Sequence, residues 1–350
     1  MEVTETGPGK GEWGAADEGV KLARKLEGGD PRRSQLAPLP SPASAMPTLP
    51  PSSPLPRPPG ESLPESLPES LAESLAATAL EAASAAADVH RRYLGSVRIT
   101  DAVDKGTYDF VSEVDLEAQE VALAVLQRAF PEHRILAEEE GSGDGRGPGD
   151  GGGSDEGSTP LWIVDPLDGT TNFLHGHPAF AASVGVLVDG RPVAGAVVAP
   201  ASAERYWSWE GGGAWMDAGD GCGPRRIGVS QVAELRQALV GTGFPFKRPD
   251  EIPGYLEELG RMLRRSSGVR RDGAAALDLC RLARGTFDVF WEGTLAPWDV
   301  AGGLAILTEA GGAWSAPDGL PYEVAAGGPL RAANGDGLLE ALHRALREPV

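Results

Sequence analysis

Asp165 and Asp168 stand on either side of Pro166 in LWIVDPLDGTTNF, the string from Leu161 to Phe173. An apolar run suited to burial ends there in two carboxylates, which repel each other unless a cation lies between them. Pro166 fixes the chain direction, Gly169 permits a tight backbone, and Thr170 and Thr171 add hydroxyls where a helix can begin. Oxygen donors without thiolate or imidazole partners suit Mg²⁺ or Mn²⁺ rather than zinc. The same spacing also suits a turn whose acids merely cap backbone amides. Taken alone, the string fits both.

Two more strings bear on that choice. AEEE, at Ala137 to Glu140, again follows a strand-like run, and PWDVAGG puts Asp299 at the start of a helix whose glycines allow close approach. Each has a plainer reading: Glu138 to Glu140 as a solvated acidic step into a loop, and Asp299 as a helix cap. His175 and His177 follow Phe173 closely and read as structural or rim residues rather than metal ligands. The glycines from Gly141 lack the Gly-Lys-Ser/Thr ending of a nucleotide-binding loop, so ATP is not implied.

The elements around these strings alternate between helix and strand. Leu75, Leu80, Ala83, Ala87 and Tyr93 predict a helix from about Ala72 to before Gly95, and a second periodic run starts at Asp115 and closes at Phe130-Pro131. Arg134 to Ala137 and Leu161 to Val164 read as buried strands delivering acids at their C-terminal tips. VGVLV, Asp189-Gly190 and RPVAGAVVAP form a hairpin signal, because Asp-Gly supplies the positive φ angles of a tight turn. Helices over Ala274 to Ala283 and Asp299 to Ala310, a strand over Phe287 to Trp291 and a last short helix after Asn334 continue the mixed α/β pattern. Pro31 to Gly60 holds eleven prolines and Gly141 to Gly157 nine glycines. Residues 1–71 therefore read as a disordered Pro/Ser/Ala-rich extension, 72–350 as the folded domain, and 141–157 as a mobile loop within it.

The whole chain is acidic, with 31 Lys and Arg against 51 Asp and Glu and a formal charge of −20 over 350 residues. Such a chain is repelled by nucleic-acid backbones and anionic lipid, so neither is an expected partner. No signal pattern or spanning run occurs, and Cys222 and Cys280 sit in unrelated contexts, which fits a cytoplasmic protein. Arg261, Arg264, Arg265, Arg270 and Arg271 form a basic cluster that reads either as a solvated helix face or as a contact for a second phosphate or partner chain.

In combination, DPLDGTTNF, the AEEE acids and WDVAGG, with FWEG ahead of the last, resemble the inositol monophosphatase family of Mg²⁺-dependent, lithium-sensitive phosphatases. The resemblance runs from about Ala72 to the C-terminus and implies a layered αβαβα sandwich, usually a homodimer, acting on inositol-1-phosphate or a similar polyol phosphate. It implies two or three Mg²⁺, with Mn²⁺ possible, held by Glu138, Asp165, the Leu167 carbonyl, Asp168 and Asp299, and with Glu139 in support. Thr170 and its acidic partner Asp115 would hold the attacking water. Asp168, Gly169, Thr170, Thr171, Gly273, Ala275 and Glu292 would contact the substrate, and Lys105 and Asp109 would edge the site. Ala137, Glu140 and Ala274 depart from the family pattern, the last where relatives place Ser or Thr. Thr171-Asn172-Phe173 favours the inositol branch over relatives acting on histidinol phosphate or 3′-phosphoadenosine 5′-phosphate, while fructose 1,6-bisphosphate is a further family substrate. Some relatives serve as protein partners in transcription complexes, a second implied role.

Overall fold

The computed structural model describes residues 67–101, 103–106, 109–139 and 159–348. Most of the proline-rich extension, Glu140 and the glycine loop at 141–157 lie outside the described residues. The alanine stripe forms α1 (Glu69–Tyr93), which begins ahead of the expected Ala72 and buries Ala72, Leu75, Ala76, Ala79, Ala83 and Ala87. Its small side chains let the helix lie close against a sheet. The second periodic run is α2 (Glu113–Ala129), opened by Ser112: Val114 N–H donates to Ser112 Oγ at 3.2 Å, and Ser112 N–H donates to Asp115 Oδ2 at 2.8 Å. That reciprocal pair satisfies two amides the helix end leaves open.

The larger sheet runs in chain order: β3 (Arg134–Ala137), β4 (Leu161–Asp168), β5 (Ala181–Val188), β6 (Arg191–Ala199), β7 (Glu204–Trp209), β8 (Gly213–Asp217) and β9 (Arg225–Ile227). Only β3 and β4 pair in parallel; the remaining neighbours are antiparallel. Asp189 and Gly190 turn β5 into β6 with φ of 50° and 74°, as their sequence predicts. A separate ribbon pairs β1 (Val103–Gly106) with β2 (Asp109–Val111), and β2 lies against the short helix α3 (Thr170–Leu174).

The second sheet has the order β11 (Gly268–Arg270), β10 (Leu239–Thr242), β12 (Val289–Glu292), β14 (Leu330–Ala333), β13 (Ala313–Ser315). Its first three strands are parallel, and β14 runs against both its neighbours. Three apolar cores separate five layers. The first packs α1 and α2 on one face of the large sheet, around Leu75, Val114, Leu126 and Trp162. The second sits between the sheets, around α5 (Ala275–Ala283) and α6 (Pro297–Glu309). The third covers the small sheet with α4 (Ile252–Arg265) and α7 (Asp336–Arg347).

Glycine sets the spacing at the centre of this stack. A Cβ on Gly185 would come within 2.6 Å of the Ala301 carbonyl carbon, and one on Gly195 within 2.8 Å of the Gly302 oxygen. Helix α6 can therefore settle directly on β5 and β6, which fixes where Asp299 in its first turn points the chain. Among the described residues no helix is long and apolar enough to cross a membrane.

Candidate active site

Strand β4 is buried from Trp162 to Asp168, and its ladder with β5 slips between Asp165 and Asp168. Pro166 has no amide to donate, so the ladder breaks where the two acids stand. Leu167 N–H turns back to Asp165 Oδ1 at 3.0 Å. Gly169 follows with φ of 90°, and a Cβ there would meet the Ala179 oxygen at 2.9 Å, so only glycine takes this turn without strain. Helix α3 opens immediately afterwards; it has five residues, so its amides rather than a long helix dipole are what it offers.

Behind the turn, His90 of α1 donates from Nε2 to the Pro166 carbonyl at 2.8 Å. Burial pushes this imidazole down to about 4, so it is neutral at pH 7 and a firm donor. Neither this residue nor Gln119 was singled out in the sequence, although His90 continues the buried face of α1 after Ala83 and Ala87. Gln119 holds Glu139 by its backbone: Glu139 N–H donates to Gln119 Oε1 at 2.9 Å, and Gln119 Nε2 donates to the Glu139 oxygen at 3.1 Å. One helical turn separates Gln119 from Asp115 on α2, which is the signal that could have found it.

A cleft of about 1210 Å³ opens over this turn, lined among others by Glu138, Glu139, Asp165, Leu167, Asp168, Gly169, Thr170, Thr171, Gly273, Ala275, Glu292 and Asp299. The acids come from the residues just after β3, from β4, from β12 and from α6, so four separate stretches of chain converge. Asp115 stands just behind the lining, where its Oδ1 accepts from Thr170 Oγ1 at 3.0 Å; the Leu167 oxygen lies 3.1 Å from the same hydroxyl. The expected metal, catalytic and substrate positions are thus brought to one place. Lys105 and Asp109 fall on β1 and β2, and their expected edge role lies outside the described side chains. His175 and His177 are exposed and do not line the cleft; His177 Nδ1 accepts from Ala179 N–H at 3.3 Å.

Electrostatics confirm the crowding. Burial, then the charges of Glu138, Asp168 and Asp299, hold the Asp165 carboxyl well above the usual range. Burial, then Asp299, does the same to Asp168, opposed by amides of Ala276 and Ala275 that donate to its two oxygens at 2.9 and 3.2 Å. Burial followed by Asp299 and Asp278 raises Glu292, which Arg271 opposes. Asp299 also caps its own helix, accepting from Ala296 N–H at 2.6 Å. The plain capping reading of Asp165 and Asp299 is therefore true as well, and the convergence adds to it. Among the described residues no group of three or more His, Cys, Asp or Glu side chains meets the spacing of a metal cage.

The wall opposite β4 comes from the segment before α5. Asn172 Nδ2 ties α3 to it, donating to the Ala179 oxygen at 2.7 Å and the Asp272 oxygen at 2.8 Å. Arg281 braces the same segment through Asp272 and through Asp278 Oδ1 at 3.0 Å. Burial pushes the Asp278 carboxyl up to about 7 despite Arg281. The basic cluster divides: Arg261 and Arg265 donate to the Leu346 and Ala345 carbonyls at 2.9 and 3.0 Å, tying down the end of α7, while Arg271 alone of the five lines the cleft.

The inositol monophosphatase family model matches residues 71–349. A protein named Nus factor SuhB from Pseudomonas aeruginosa is 39% identical over 67% of this chain and 82% of its own length. An inositol-1-monophosphatase from Mesorhizobium japonicum is 38% identical over 77% and 95%. A fructose-1,6-bisphosphatase/inositol-1-monophosphatase from Aquifex aeolicus is 37% identical over 67% and 82%. The crystal structure of the extragenic suppressor protein suhB from Bartonella henselae superposes with a TM-score of 0.68 and 33% identity, covering 81% of this chain and all of that one. The layered fold, the converging acids and the match along nearly the whole described chain agree: this protein belongs to the inositol monophosphatase family of phosphatases.

Proposed function

We propose that the protein is a Mg²⁺-dependent phosphomonoesterase that hydrolyses inositol-1-phosphate or a similar polyol phosphate. The observation that supports it most is the convergence of Glu138, Asp165, Asp168 and Asp299 beside the Thr170–Asp115 pair. The donor chemistry fits a hard divalent cation: carboxylate oxygens and the Leu167 carbonyl, with no Cys or His among the lining residues. Glu138, Asp165, Leu167, Asp168 and Asp299 would hold the ions, and the raised carboxyls describe acids whose repulsion a cation relieves. When bound, Mg²⁺ supplies charge neutralisation for the phosphate and a lowered pKa for water.

The remaining steps belong to this chain. The Thr170 hydroxyl gives its proton to Asp115 or to the Leu167 carbonyl, so toward a water in the cleft its oxygen acts as an acceptor and aims the nucleophile. Amides of Gly169 to Thr171 take phosphate oxygens, and Glu292 accepts from neighbouring hydroxyls of a polyol. Ala274, with no hydroxyl to offer, makes the floor beside Gly169 apolar. Phosphate release from inositol-1-phosphate, fructose 1,6-bisphosphate, histidinol phosphate and 3′-phosphoadenosine 5′-phosphate, with Mg²⁺ and with EDTA, tests the reading. Mg²⁺-dependent turnover highest on a polyol phosphate is the expected result; equal turnover in EDTA refutes it.

The relatives named Nus factor SuhB support a second reading, in which the folded domain also serves as a binding partner. Asp165→Asn separates the two: a cellular phenotype that persists without phosphatase activity favours binding. A homodimer and a cytoplasmic location complete the proposal, on the strength of the family and the acidic, cysteine-poor composition.

A further inference from the structure

The Pro166 carbonyl and the Leu167 amide belong to one planar peptide group, and both ends of that group are held. His90 of α1 donates from Nε2 to the carbonyl at 2.8 Å, and the amide donates to Asp165 Oδ1 at 3.0 Å. A single chain of hydrogen bonds therefore runs from the imidazole, through the peptide, to the carboxylate. Rotating the peptide breaks both contacts together. Bonds linked in this way polarise one another, so each is firmer for the other.

The imidazole is firmly seated. His90 is fully buried in the last turn of α1, and its ring lies between Phe173, at 6.0 Å and 54°, and Phe180, at 5.9 Å and 72°. Those two rings meet edge to face at 5.1 Å, and neither is more than 1% exposed. Phe173 belongs to α3, and Phe180 immediately precedes β5, the strand that pairs with Asp165. His90 Nδ1 is buried and meets no partner among the described residues, so the neutral ring carries its proton on Nε2. A phenyl group would fill the same space between two others. What the imidazole adds is a donor for the Pro166 carbonyl.

We propose that His90 is a positioning residue for Asp165: through the Pro166–Leu167 peptide it sets the rotation of that carboxylate, and so the affinity of the cleft for Mg²⁺. This rests on the metal reading above, and it adds a residue of α1, outside the cleft lining, on which the metal site depends. Removing an outer partner that orients a metal's ligand typically weakens metal binding by about ten- to a hundredfold.

The test is calorimetric titration of Mg²⁺ alone into the full-length wild type, His90→Phe and His90→Gln, with the melting temperature of each recorded in EDTA. Phe fills the aromatic pocket without a donor, whereas the Gln amide carries N–H groups at about the reach of Nε2. His90→Phe is expected to bind Mg²⁺ about ten- to a hundredfold more weakly than the wild type, and His90→Gln to stay within about threefold of it. The Mg²⁺ concentration that half-saturates turnover of inositol-1-phosphate should move by the same factors. A bond that only ties α1 to the sheet would lower the melting temperature of His90→Phe and leave its Mg²⁺ affinity unchanged. That result overturns the proposal, and so does equal weakening in His90→Phe and His90→Gln. If His90→Phe does not fold, His90→Leu serves as the donorless variant. A wild type that takes up no Mg²⁺ overturns the metal reading and this proposal with it, whereas wild-type affinity in a folded donorless variant overturns this proposal alone.

Discussion

Thr170 has one proton and two acceptors within 3.1 Å, so its oxygen is left to accept from whatever lies in the cleft. Thr170→Val preserves shape and removes that acceptor; kcat should fall by about 10²- to 10⁴-fold with little change in folding, the range for losing a positioned proton relay. Thr170→Ser should recover much of it, and steady-state kinetics on inositol-1-phosphate read both. Asp165 makes a different case, because its burial and its neighbours' charges hold its carboxyl well above the usual range. Asp165→Asn keeps the oxygen that accepts from Leu167 N–H while removing one charge from the group. In EDTA its melting temperature should rise by about 2–4 °C for each kcal/mol of repulsion relieved, while turnover with Mg²⁺ drops by roughly 10²-fold or more. A lower melting temperature in EDTA would mean that Asp165 serves the fold rather than the site.

At the scale of elements, the active turn depends on the helices packed behind and beneath it. His90 of α1 takes up a proton only near pH 4 in the native protein but near its ordinary 6.5 when unfolded. Between those values the unfolded chain binds more protons, so the stability this residue contributes is complete above pH 6.5 and is lost as pH falls toward 4, about 3 kcal/mol in all. Urea unfolding from pH 7.5 to 4.5 should show that loss, and His90→Gln, which cannot titrate, should flatten it. Helix α6 depends on Gly185 in the same way: Gly185→Ala puts a methyl 2.6 Å from backbone of Ala301 and should cost about 1–3 kcal/mol, with kcat falling as Asp299 is displaced. Calorimetry and kinetics check the pair. Such dependences explain what the sequence did and did not disclose. The DPLDGTT turn, the Asp189-Gly190 hairpin and the helix at Asp299 were legible because proline, glycine and acid residues act over a few positions. The short strands β7 to β11, β13 and β14 were not, because their faces are chosen by packing within and against the sheets, and α4 showed only its basic face while its apolar face covers the small sheet. His90 was hidden for the same reason: its partner, Pro166, lies 76 residues away in sequence and nothing local announces the pairing.

At the scale of the molecule, α1 closes the outer face of the large sheet, and the question is how much of the N-terminal chain that closure needs. Leu67 and Leu71 pack on the first core, Leu67 N–H reaches Glu210 Oε2 at 3.4 Å, and Ala72, Leu75 and Ala76 are fully buried. The eleven prolines from Pro31 to Gly60, read from the sequence, lead to the expectation that the folded domain needs none of that segment. A chain beginning at Glu61 should therefore match the full-length protein in melting temperature and in kcat. One beginning at Ala77 loses Leu75 and its neighbours from the core, which costs about 2–5 kcal/mol for the leucine alone. It also unwinds the start of the helix whose far end holds His90 against Pro166, so turnover should fall together with stability. Melting temperatures and inositol-1-phosphate kinetics of the two truncations decide it. Equal loss in both would place part of the proline-rich segment in the fold, and no loss in either would mean that the first turns of α1 carry no weight in the core they cover.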